Sequence, residues 1–212
     1  MKPSMLYAKV TPDSLGIPND VFFTSSSSEY QKYREAWAAS LFARGFSDLI
    51  KPCEVRLVVN DSFPDFEIKV ENSIHPFEFT EAQVPEYKHK RGDYYKKKKT
   101  DPLLGPLAIY ANVEEAATWI CDKLKKKFEK KYRPKPNLLI YANFQVAKKL
   151  DLDQVRKVCE PYRPEFKSVW LLWAVTIAQV FPGEDFYQAC SAWSEIPGYR
   201  KECEKRMGIG AG

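Results

Sequence analysis

Residues 63–82 read FPDFEIKVENSIHPFEFTEA, and acidic side chains recur there at alternate positions of two strand-like runs. In 65–70, Asp65, Glu67 and Lys69 alternate with Phe66, Ile68 and Val70; in 75–82, Glu78 and Thr80 alternate with Phe77 and Phe79. With Asn72-Ser73 as a two-residue hairpin loop, Glu71 pairs with Ile74, Lys69 with Pro76, Glu67 with Glu78 and Asp65 with Thr80. That register gathers Asp65, Glu67, Lys69, Glu78 and Thr80 on one face. Two glutamates then lie directly opposite, which is unfavourable unless a cation intervenes. Carboxylates so placed suit Mg²⁺ or Mn²⁺, an ion that neutralises charge growing on a phosphate and generates hydroxide near neutral pH. Asp65 and Glu78 are the expected ligands. Glu78 stands between two phenylalanines of a strand expected to be central, where a charge is expensive unless paired. The plainer reading of Asp65 is a turn cap before its strand.

Other elements must hold this hairpin in place. Residues 1–24 read as irregular, with Pro3, Pro12 and Pro18. Capping-box spacings at Ser26/Glu29 and Ser28/Gln31 precede a stripe of Tyr30, Tyr33, Trp37 and Leu41, and Gly45 reads as a stop. The pattern predicts a helix over about 28–44. It offers two acidic residues to the hairpin, Glu29 beside the stripe and Glu35 on the opposite face. The same rules predict a strand over 54–60, an amphipathic helix over 113–132 with Asn112 as N-cap, and a doubly buried strand over 137–144. A helix ending near Pro161, a strand over 168–181 and a helical tail over 184–206 complete the chain. The expected class is α/β, with a mixed sheet flanked by helices. One domain spans 1–212, with a core over about 28–144 and a C-terminal helix-strand-helix extension over 145–212.

Pro64-Asp65, then Glu78-Phe79-Thr80 a dozen residues on, in an α-β-β-β-α-β order, resembles the PD-(D/E)XK nuclease superfamily and its restriction-endonuclease-like fold. The resemblance implies a Mg²⁺- or Mn²⁺-dependent hydrolase that cuts phosphodiester bonds of DNA or RNA, with DNA favoured. It implies a metal held by Asp65 and Glu78 with help from Glu35 or Glu29. Thr80 stands where the family usually has lysine. Lys69, Lys88 or Lys90 is then needed to supply the missing charge, and the alternative is an inactive nucleic-acid-binding or assembly module on the same fold. A homodimer, formed through 168–181 or the C-terminal helix, also follows by analogy.

Charge distribution agrees with a polyanionic partner. The net charge of +5 is mild, but Lys88–Lys99 reads KHKRGDYYKKKK and Lys123–Lys135 reads KLKKKFEKKYRPK. Lys88, Lys90, Arg91 and Lys96, Lys97, Lys98 and Lys99 are expected to grip a phosphate backbone, with Tyr94 and Tyr95 stacking on bases. The alternative is a solvated cationic face. The 5 cysteines are scattered without a C-x-x-C, and the 2 histidines and 9 glycines leave little room for a histidine-rich metal site or a phosphate-binding glycine loop. No run approaches membrane-spanning length, no secretory leader is evident, and the expected location is the cytoplasm.

Overall fold

The computed structural model describes residues 1–18, 21–22, 27–58, 63–83, 110–111, 113–146, 150–183, 187–189 and 192–206. The elements in chain order are α1 (Pro3–Val10), α2 (Pro12–Leu15), α3 (Ser28–Leu49), β1 (Glu54–Leu57), β2 (Phe66–Val70), β3 (Ser73–Ala82), β4 (Tyr110–Ala111) and α4 (Val113–Phe128). They continue with β5 (Asn137–Ala142), β6 (Gln145–Val146), α5 (Leu152–Cys159), a 3-10 turn (Glu160–Glu165), β7 (Ser168–Trp173), β8 (Thr176–Phe181), β9 (Ser194–Glu195) and α6 (Tyr199–Arg206). Seven strands form one mixed sheet in the order β1-β2-β3-β5-β7-β8-β9. β3, β5 and β7 run parallel, and the outer pairs run antiparallel. This is the mixed α/β architecture expected of the sequence.

Each face of the sheet carries its own core. On one face Phe66, Ile68, Phe77, Phe79, Leu139, Trp170 and Leu172 meet Trp37, Leu41, Phe42 and Phe46 of α3. On the other, Leu138, Ile140, Val169 and Leu171 meet Ala116, Ile120 and Leu124 of α4 and Val155 of α5. Strand alternation sends successive residues to opposite faces, so β5, buried at every position, serves both cores. Asn137 and Ser168 are buried polar residues with partners. Asn137 Nδ2 donates to Pro76 O at 3.0 Å, Ser168 Oγ donates to Asn137 Oδ1 at 2.7 Å, and Trp170 Nε1 donates to Ser168 Oγ at 3.0 Å. That chain ties β3, β5 and β7 together where their parallel run begins.

Four expectations need correction. Residues 3–10 and 12–15 are helical, because each proline sits at a helix start, where its missing N–H costs nothing. Helix α3 runs through Gly45 to Leu49. Gly45 serves close packing here: a Cβ at that position would lie 2.8 Å from Ile177 Cδ1. The stretch 168–181 is a hairpin, not one strand, and turns at Ala174, whose φ is 49°. Most of its apolar residues are buried in the cores of the sheet. In the tail, α6 is preceded by the short strand β9. Asn112 lies outside the described residues, and among those residues no helix is long and apolar enough to cross a membrane.

Candidate functional site

The β2–β3 turn lies at Glu71-Asn72, with Val70 opposite Ser73, Ile68 opposite His75 and Phe66 opposite Phe77. The pairing is therefore slipped by two residues from the expected one. Glu71 adopts a left-handed φ of 53°, which a two-residue hairpin loop requires. A slip of two preserves which side chains share a face. It changes their partners: Glu67 falls opposite Pro76, and continuing the register brings Asp65 beside Glu78. Asp65 N donates to Phe77 O at 3.0 Å, and Phe79 N donates to Asp65 Oδ2 at 2.7 Å. Asp65 thus crosses to β3 through both its backbone and its carboxylate.

Glu78 is only 5% exposed, on the face covered by α4. Lys127 Nζ, from the last turn of α4, donates to Glu78 Oε1 at 2.5 Å, and Tyr132 OH donates to the same oxygen at 2.7 Å. Lys130 Nζ stands 4.0 Å from that oxygen. The Phe63 ring lies against Tyr132, with centroids 5.5 Å apart. Burial pushes the Tyr132 phenol up, and the Glu78 carboxylate that accepts its hydrogen bond pushes it further. Tyr132 therefore keeps its proton and donates a hydrogen bond to Glu78.

Asp65 is also displaced from ordinary behaviour. Burial raises its pKa first and the Glu78 charge second, and the Phe79 N–H and Lys127 only partly oppose them. Glu35 is raised by burial and then by Asp65 and Glu78, against a hydrogen bond from Gln31 Nε2 at 2.9 Å. Glu35 is thus the carboxylate of α3 that senses the site. Glu29 is exposed and accepts a hydrogen bond from Tyr33 OH at 3.4 Å, within its own helix.

The other expected residues lie elsewhere. Lys69 pairs with Ile74, four residues before Glu78 and so about 13 Å away along the strand. It lines a surface pocket with Glu54, Arg56 and Ile74. Glu67 is bound by Arg56 Nη2 at 2.6 Å. Thr80 pairs with Ile140 in the parallel ladder. Glu81 accepts from Asn143 Nδ2. Lys88, Lys90, Arg91, Tyr94, Tyr95 and Lys96 to Lys99 all lie outside the described residues. Lys127 and Tyr132 escaped sequence reasoning. One signal was present: Lys127 continues the Ala116, Ile120, Leu124 stripe at helical spacing, a cation where the pattern calls for an apolar side chain facing the sheet.

The Asp65 shift has a measurable sign. A carboxyl whose folded pKa is raised binds its proton more tightly in the folded state, so its contribution to stability falls as pH climbs through that range. Asp65→Asn removes a desolvated charge beside Glu78 while keeping an oxygen for Phe79 N–H. The variant is expected to gain about 1 kcal/mol at pH 7, or about 2–4 °C in Tm. The gain should vanish near pH 3, where the carboxyl is protonated folded or unfolded. Thermal melts across pH check this, and equal or lower stability of the variant at pH 7 contradicts it.

No family model and no curated protein matches the sequence. A solved structure similar to this chain is that of PA4535 from Pseudomonas aeruginosa strain PAO1, described as a protein of unknown function of the Monooxygenase Superfamily. The two share 13% identity over 87% of this chain and 86% of that one, with a TM-score of 0.47. The nuclease reading of the sequence is corrected on the hairpin, whose register differs from the one that reading used. The restriction-endonuclease-like assignment, phosphodiester hydrolysis, DNA binding and the inactive nucleic-acid-binding module are not carried further. The corrected register removes the Glu67–Glu78 and Asp65–Thr80 pairs that the reading invoked, and Lys69 lies too far along the strand to act there. At this identity and TM-score the likeness carries no activity over to this chain.

The residues fit a structural ion pair better than a Mg²⁺ or Mn²⁺ cage. One Glu78 oxygen already accepts from an ammonium and a phenol. Among the described residues no group of three or more histidines, cysteines, aspartates or glutamates stands together as a metal site.

Proposed function

We propose that Asp65, flanked by Glu78, Lys127, Tyr132 and Glu35, forms an acid–base site that exchanges a proton with a small polar molecule. The supporting observation is convergence: the β2 approach, β3, α4 and the segment after α4 each send an ionisable group to one place. Glu78, Lys127 and Tyr132 form a fixed electrostatic frame, each held by another. Asp65 is the group with freedom to change charge. Its carboxyl keeps a proton to higher pH than an ordinary aspartate, which suits a general acid or base working nearer neutrality. The other Asp65 oxygen, not engaged by Phe79 N–H through Oδ2, is the atom assigned to proton exchange. Glu35 adds negative charge from α3, and its own proton affinity is raised by burial and by the charges of Asp65 and Glu78.

The test is a carboxyl-carbon NMR titration with and without Mg²⁺. Asp65 is expected to titrate above the usual aspartate range, to move down in Glu78→Gln, and to ignore Mg²⁺. Titration in the ordinary range would overturn the reading. A fall driven by Mg²⁺ would assign the cluster to a cation instead.

A further inference from the structure

Cys121 lies on the third turn of α4, and Cys159 ends α5. The two helices pack directly on one another under the second core. The Cys121 S–H donates to Val158 O at 3.2 Å, the carbonyl next to Cys159 in the chain, so the two thiols are close enough for each to act on the proton affinity of the other. The pair is asymmetric in exposure: Cys159 is 1% exposed, whereas Cys121 reaches the surface. Cys53 and Cys203 are buried elsewhere, in the core on the other face of the sheet. So one thiol meets solvent, and a second, buried thiol belongs to the residue next to its hydrogen-bond partner, which suits an attacking and a resolving cysteine.

We propose that Cys121 and Cys159 are a redox modification site, closed by a hydroperoxide into a disulfide that staples α4 to α5. Cys121 gives its proton to solvent, and its thiolate attacks one oxygen of the peroxide. The O–O bond breaks, leaving a sulfenic acid on Cys121 and releasing water in the case of hydrogen peroxide. The Cys159 sulfur then attacks the Cys121 sulfur, the S–O bond breaks, and the hydroxyl departs as a second water with the Cys159 proton. Two thiols lose two electrons, the peroxide gains them, and the balance closes at one disulfide and two waters. Order follows from accessibility: peroxide reaches Cys121 first, and Cys159 is shielded until a sulfenic acid forms beside it. Burial raises both thiols, so the thiolate is scarce near neutrality and the reaction accelerates as pH rises. The staple joins α5 to the helix that carries Lys127, so oxidation state is coupled to the rigidity of the acid–base cluster.

The experiment treats the native full chain with excess hydrogen peroxide and maps peptides without reduction. The expected product has lost two of its five thiols, carries one crosslink between the peptides holding Cys121 and Cys159, and returns to five thiols with dithiothreitol. Cys121→Ser, a change at the accessible position, should abolish the crosslink and leave the remaining thiols reduced. Cys159→Ser should leave a sulfenic acid at Cys121 that dimedone traps. Three outcomes overturn the proposal: no thiol loss, a crosslink between other cysteines, or wild-type Cys121 advancing to sulfinic acid while Cys159 stays free.

Discussion

Lys127→Met is expected to lower the unfolding free energy by about 3–5 kcal/mol at neutral pH, and Tm by roughly 10 °C. The reason is what it leaves behind. Glu78 is 5% exposed, and its Oε1 is held by Lys127 Nζ at 2.5 Å. Methionine fills the same volume against α4 but supplies no charge. Tyr132 still donates one hydrogen bond, yet a phenol cannot neutralise a carboxylate beside Asp65. Glu78→Gln alone strands the ammonium of Lys127, which is closer to solvent, and should cost less. The double variant Lys127→Met/Glu78→Gln should recover a large part of the single loss, because a buried pair replaced as a unit is often nearly neutral. Urea denaturation of the four proteins in this cycle measures the coupling. A Lys127→Met loss below 1 kcal/mol would show that water already screens Glu78, and the picture of a fixed electrostatic frame would fail.

Phe42→Ala is expected to cost about 3–5 kcal/mol, the range for deleting a large aromatic ring from a packed core. The Phe42 ring is fully buried on α3 and stands against Phe46, Phe66, Phe77 and Trp170, with centroids 5.2–6.4 Å apart. It therefore bridges the helix to β2, β3 and β7 at once. Four rings from separate elements cannot all move inward to fill the gap. The change should also loosen the hairpin that carries Asp65 and Glu78, since Phe66 and Phe77, neighbours in sequence of those residues, would lose a common support. Calorimetry and near-UV circular dichroism check this. An unchanged aromatic signal with a loss under 1.5 kcal/mol would mean the site collapses without cost.

The hairpin shows how far sequence reaches. Alternation of Phe66, Ile68 and Val70 with charged residues located the strand and its two faces correctly, because side-chain direction has a period of two. Partners were misassigned because turn position depends on which residue accepts a left-handed φ, and Glu71 does so without a glycine to announce it. The slip was even, so Asp65 and Glu78 stayed on one face. Gly45 and Ala174 failed in opposite senses. Gly45 looked like a helix stop, but tertiary packing against Ile177 made it an interior contact. Ala174 gave no sign of the turn it makes between β7 and β8. The nuclease resemblance rested on Pro64-Asp65 and Glu78-Phe79-Thr80 together with an α-β-β-β-α-β order, and the motif is short enough to arise on a hairpin for other reasons. Lys127 closes the next helix and Tyr132 follows it, 49 and 54 residues from Glu78, and local pattern cannot foresee such distant partners.

That separation has a consequence for how the chain reaches its native state. β1, β2 and β3 form a meander that local turns can assemble, but β3 and β5 are parallel neighbours that must wait for the α4 crossover. Lys127 and Tyr132 travel with that crossover. The helix that covers Glu78 is also the one that carries Lys127, and Tyr132 follows directly after it. Burial of the carboxylate and its compensation therefore arrive together, so docking α4 does not strand a charge.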